Sequence, residues 1–73
     1  MGRTRLKHDL EQAEEELAAV QRHIARQNGN IWDLDQAKQD TTEAWSLLIE
    51  LETAQALHIT HRDQIIKALK ASS

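Results

Sequence analysis

Seventy-three residues, 40% hydrophobic and 29% charged, make one small domain at most and favour a folded chain over a disordered one. Proline is absent, Gly2 and Gly29 are the only glycines, and Trp32 and Trp45 the only aromatics, a composition that suits helix and leaves little for a β-sandwich or barrel core. A net charge of −3, no cysteine, no signal-peptide core and no apolar run near the ~20 residues of a membrane span argue against nucleic acid or membrane as partner and against disulfide or thiolate chemistry, and the expectation is a cytoplasmic chain.

Residues 1–4 are expected to fray, leaving Arg3, Arg5 and Lys7 solvated. The spacing predicts a first helix over about 5–36. Leu6, Leu10, Ala13, Leu17, Val20, Ile24, Gln27, Ile31 and Leu34 recur at alternating intervals of four and three, a heptad seam in which only Gln27 is polar. Beside it the column Glu11, Ala18, Ala25, Trp32 widens the apolar stripe beyond what one neighbouring helix covers. Lys7, Glu14, Gln21 and Arg22 lie on the solvated face. Asn28-Gly29-Asn30 carries turn chemistry. The seam nevertheless stays in phase across it, and one glycine inside a helix costs only about 1 kcal/mol against alanine. A continuous helix is therefore predicted, the rival being a break at Gln27 and a short helix from Ile31 to Gln36.

Residues 37–40 read as the turn. Asp40 is a good N-cap, and Glu43 three residues on completes a capping box. A second helix is predicted over about 41–70, with Lys67 and Lys70 suiting its dipole and residues 71–73 fraying. Ala44, Leu47, Leu48, Leu51, Ala54, Ile65, Ala68 and Leu69 form its apolar face, and Trp45, Ile49, Ala56, Ile59 and Ile66 a further flank. A connection this short makes the helices antiparallel, and a turn centred near residue 38 or 39 places position i opposite about 77 − i. The predicted fold is all-α: a single coiled-coil-like antiparallel hairpin, 1–73, whose surplus apolar width leads it to dimerise into a four-helix bundle. The expected core and oligomer contacts are Leu10, Leu17, Val20, Ile24, Ile31 and Leu34 with Leu47, Leu48, Leu51, Ile65 and Leu69. Trp32 and Trp45 are expected to seal the turn end of that core, a partner-binding patch being the alternative.

Gln55, His58, His61 and Arg62 interrupt the apolar face of the second helix halfway along. The register sets them opposite Glu15, Glu16, Ala19 and Arg22, so Arg62 or His61 can pair with Glu15 or Glu16. The plain reading is a polar layer that fixes register and oligomer state. A pH-sensitive histidine contact is a second reading. A metal site from His58 and His61 is a third; it lacks further ligands and any Glu-x-x-His pair. His8 and His23 stand apart on the first helix. There is no glycine-rich phosphate loop and no nucleophile motif, so no cofactor and no enzymatic activity are expected.

The runs His23-Ile24-Ala25-Arg26-Gln27, Asp40-Thr41-Thr42-Glu43-Ala44, Leu47-Leu48, Glu52, Gln55-Ala56-Leu57-His58 and Arg62-Asp63 resemble a group of short uncharacterised bacterial helical-hairpin proteins. Members of that group carry glycine in the turn before the Asp-Thr pair, where this chain has Ala37-Lys38-Gln39. The resemblance implies a hairpin and no activity. The expected function is that of a self-associating scaffold, adaptor or small regulator acting with an unidentified protein partner, as a homodimer or higher homo-oligomer. The alternatives are a nucleic-acid-binding hairpin dimer using Arg3, Arg5, Lys7, Arg22 and Arg26, or a histidine-based metal or pH sensor.

Overall fold

The computed structural model describes residues 2–72. Among them the chain forms two helices, α1 (Gly2–Gln36) and α2 (Thr42–Ala71), packed against each other as an antiparallel hairpin. The rod measures 55 × 14 × 12 Å, the length that 35 residues of α1 span at about 1.5 Å each. The fraying expected of Met1 and Ser73 falls outside the described residues.

Residues 2–4 do not fray but form the first turn of α1. A tertiary contact holds them: Arg3 Nη1 donates to the carbonyl of Leu69 (3.2 Å) and to Ser72 Oγ (3.4 Å) at the far end of α2. Leu69 lies in the last turn, and its carbonyl also accepts from Ser72 N–H (3.2 Å) and Ser72 Oγ (2.9 Å). One contact thus anchors the start of α1 and the end of α2.

α1 crosses Asn28-Gly29-Asn30 unbroken, and Gly29 keeps negative φ. Apolar contacts on either side account for this. Ile31 is buried with Ala44 and Leu48, and half-buried Ile24 and Leu34 pack on the same cluster. Between Ile24 and Ile31, Gln27 Nε2 donates to the Ala44 carbonyl at 2.8 Å, which explains the one polar residue of the seam.

The chain leaves α1 through a Schellman motif. Lys38 N–H donates to the Asp35 carbonyl (3.0 Å) and Gln39 N–H to the Leu34 carbonyl (2.9 Å). Lys38 has φ 59°, the left-handed conformation that glycine usually supplies. The chain folds back beside the last turn of α1, and this corrects the register. Gln27 reaches Ala44, Glu16 faces His58 and Arg3 reaches Leu69, so paired positions add up to between 71 and 74 instead of about 77.

α2 starts at Thr42. Thr41, the N-cap by position, makes no side-chain capping bond. Asp40 Oδ1 does that task, accepting from Thr42 N–H (2.9 Å) and Thr42 Oγ1 (2.7 Å). These two bonds, the hydroxyl's first, hold the Asp40 carboxyl below its ordinary range. Among the described residues Glu43 returns no bond to the Asp40 amide, so the capping box is only half formed.

The buried residues are Ala13, Leu17, Val20 and Ile31 of α1 and Ala44, Leu48 and Ile65 of α2. Of the expected core, Leu17, Val20, Ile31, Leu48 and Ile65 are buried, whereas Leu10, Ile24, Leu34, Leu51 and Leu69 are half-buried. Leu47 is 45% exposed and lies outside the core of the single hairpin. Two cylinders touch along one line, so only side chains on that line lose most of their water. Ala13 and Ala44 occupy it because small residues let the backbones approach.

Candidate interaction surface

The interrupted middle of α2 does not form an interior layer. Gln55, His58 and Arg62 are half-buried, while His61, Glu15 and Glu16 are exposed. No charged or polar residue is buried among the described residues. His58 Nδ1 faces Glu16 Oε2 at 3.7 Å, beyond hydrogen-bond range, and the Glu16 side chain is 59% exposed. The expected pairing of Arg62 or His61 with Glu15 or Glu16 is replaced by a local one. Arg62 donates through Nε (3.2 Å) and Nη2 (3.0 Å) to Asp63, its own neighbour. The physical reason is the slimness of the hairpin: a position one step off the contact line reaches water and needs no partner across the helices.

For metal binding, His58 and His61 stand three residues apart on α2, one half-buried and one exposed. Among the described residues no three His, Asp or Glu side chains converge on a common point that could hold an ion.

The tryptophans do not seal the core. Trp32 is 63% and Trp45 50% exposed. They line one surface groove with Asn28, Ile31, Asp35 and Thr41. That groove fixes how the two apolar flanks relate. Trp32 ends the column Ala18-Ala25-Trp32 of α1, and Trp45 begins the stripe Trp45-Ile49-Ala56 of α2. Side chains seven apart in α1, or four and eleven apart in α2, share a face. Both flanks therefore lie on the same broad side of the hairpin. Ile49 is 60% exposed and continues the patch along α2. On the opposite broad side Leu47 and Leu51 line a second groove with His23, Arg26, Gln27 and Asn30.

Each column is visible in the sequence; their convergence is not, because it depends on the direction in which the chain turns between Gln36 and Thr42. Leu57, 68% exposed, belongs to neither broad side. The level of Ala18 beside Ala56 near the midpoint of the rod likewise depends on the register that the turn sets.

Comparison of the chain with protein-family models, with curated proteins and with solved structures finds no match. Among the described residues no helix is long and apolar enough to cross a membrane.

Proposed function

We propose that this chain is a non-enzymatic, self-associating helical hairpin of the scaffold, adaptor or small-regulator kind, working in the cytoplasm as one half of a four-helix bundle. One observation carries the reading: Trp32, Trp45 and Ile49, each at least half exposed, share one broad side of the rod. Contiguous exposed apolar surface on a small chain marks an interaction site, and tryptophan is the residue most enriched among binding anchors. A slender two-helix rod without a buried titratable side chain among its described residues gives little with which to tune an acid, base or nucleophile.

Sedimentation equilibrium over a wide concentration range, with tryptophan fluorescence followed in parallel, tests this. Self-association gives twice the chain mass at high concentration and a blue shift of the emission as the indoles leave water. A single-chain mass at every concentration with water-exposed indoles overturns it.

A further inference from the structure

The rod carries its charge unevenly along its length. At the turn end, over residues 20–52, Asp33, Asp35, Asp40, Glu43, Glu50 and Glu52 stand against Arg22, Arg26 and Lys38. At the terminal end, over residues 2–10 and 62–72, Arg3, Arg5, Lys7, Arg62, Lys67 and Lys70 stand against Asp9 and Asp63. The ends of a 55 Å body thus differ in sign, with three negative charges in excess at one and four positive at the other, and the length exceeds the Debye length of about 8 Å at physiological salt several times over.

Surface area points to what covers the apolar side. The accessible surface is 5650 Å². A compact monomer of 8.4 kDa would expose about 4,600 Å², so the hairpin carries about 1,000 Å² too much. One partner of a standard stable interface buries about 800 Å². The excess is therefore the amount that one further molecule of similar size would cover.

We infer that a second copy of the chain seats on the Trp32–Trp45 side in antiparallel orientation, with its basic terminal end over the acidic turn end of the first. The inference rests on the self-association reading and adds to it the face and the direction. A pair with both turns at the same end sets three excess negative charges against three more and four positive against four, and the reverse pair sets opposite signs together at both ends. The antiparallel pair has its two-fold axis at the middle of the rod, where Ala18 and Ala56 offer little bulk and admit close backbone approach. Away from the axis, Trp32 and Trp45 of one copy come over the terminal half of the other. There Ile66 lies between Asp63 and the stems of Lys67 and Lys70 in a shallow groove. Indole rings pack on such stems and meet the ammonium groups favourably.

The chain has no cysteine, so single labels are clean. Gln39→Cys marks the turn and Thr4→Cys the terminal end, both exposed. Double electron–electron resonance on each spin-labelled variant alone gives a distance approaching the 55 Å rod length, and an equimolar mixture of the two gives a short distance. Raising salt weakens the dimer several-fold, and Ile49→Glu, at an exposed site that leaves the helix intact by circular dichroism, weakens it at least about tenfold. A dimer with a short Gln39→Cys distance overturns the direction while the self-association reading stands. A dimer untouched by Ile49→Glu overturns the face. A single-chain mass at all concentrations overturns both, and salt-sensitive retention of an oligonucleotide by that monomer would reassign the basic end to nucleic acid.

Discussion

The chain keeps its glycine nine residues from where the backbone asks for one. Gly29 lies inside α1 with negative φ, and a Cβ built there meets nothing within 4 Å. Lys38 holds the left-handed position of the Schellman motif, where glycine is the usual occupant. Gly29→Ala should therefore stabilise by about 0.8–1 kcal/mol, the helix-interior difference between the two residues. For Lys38→Gly, relief of left-handed strain is worth roughly 1–2 kcal/mol. Against it stand the entropy glycine adds to the unfolded chain, about 0.4–1 kcal/mol, and the lost attraction between lysine and the helix C-terminus, about 0.3–1 kcal/mol. The terms nearly cancel, leaving a net gain of only about 0.2 kcal/mol. The two sites share no contacts, so the double variant should gain about 1 kcal/mol. For a chain of this size that raises the melting temperature by roughly 4–8 °C. Thermal unfolding by far-UV circular dichroism, at one fixed chain concentration, measures it. If Gly29→Ala lowers the melting temperature, residues 28–30 form a turn and α1 is broken there. If Lys38→Gly lowers it by more than about 8 °C, beyond the roughly 1 kcal/mol that the opposing terms can remove, the chain does not reverse at Lys38.

Leu17→Ala removes a side chain buried on the contact line and should cost about 2–3 kcal/mol, the low end for leucine because so thin a core can close around the gap; a loss under about 1 kcal/mol in denaturant titration would place Leu17 off that line. Asp40→Ala should lower the melting temperature at neutral pH by removing the acceptor at the start of α2. Because the folded-state pKa of Asp40 is depressed, its contribution is complete above the ordinary carboxylate pKa and is lost as pH falls through the folded value. The gap between parent and variant should therefore begin to narrow only below about pH 4 and close as pH falls through the folded value, and a gap that does not narrow on acidification refutes the cap. Glu16→Gln should change stability by no more than about 0.5 kcal/mol, since its partner His58 is 3.7 Å away and the Glu16 side chain is exposed; a larger loss would mean that the pair closes in solution.

What could be read in advance was what spacing encodes. Two helices and the passage of α1 through Asn28-Gly29-Asn30 follow from apolar residues kept in phase, because phase is a property of one helix and needs no partner to be seen; the antiparallel packing follows from the short connection. Errors arose wherever the answer depended on how the two helices meet. The facing positions shifted because the Schellman motif lays residues 37–41 back along α1, a geometry that a left-handed lysine conceals. Trp32 and Trp45 were expected to close the core because they are near each other, yet nearness does not say whether rings point between helices or away from them. Gln55, His58 and Arg62 looked costly in an apolar stripe. In a pair of cylinders such positions sit at the waterline, and their long side chains reach out.

Two side-chain hydrogen bonds link the helices toward opposite ends of the hairpin: Arg3 on the Leu69 carbonyl and Gln27 on the Ala44 carbonyl. Both are directional and both act within one chain. They set how far α1 slides along α2 and therefore hold the stripes Ala18-Ala25-Trp32 and Trp45-Ile49-Ala56 level on a common side. The apolar contacts that could bind a second copy are not directional, and alone they would tolerate slippage. Small chains rarely obtain more than about 3–5 kcal/mol from one core, and this core is a single line of seven side chains among the described residues, two of them alanine. A partner that covers the open side adds to the same folding equilibrium by mass action. In the proposed pair, internal polar contacts would fix the shape of the surface, charge at the rod ends the direction of approach, and burial of indole and isoleucine would supply the affinity.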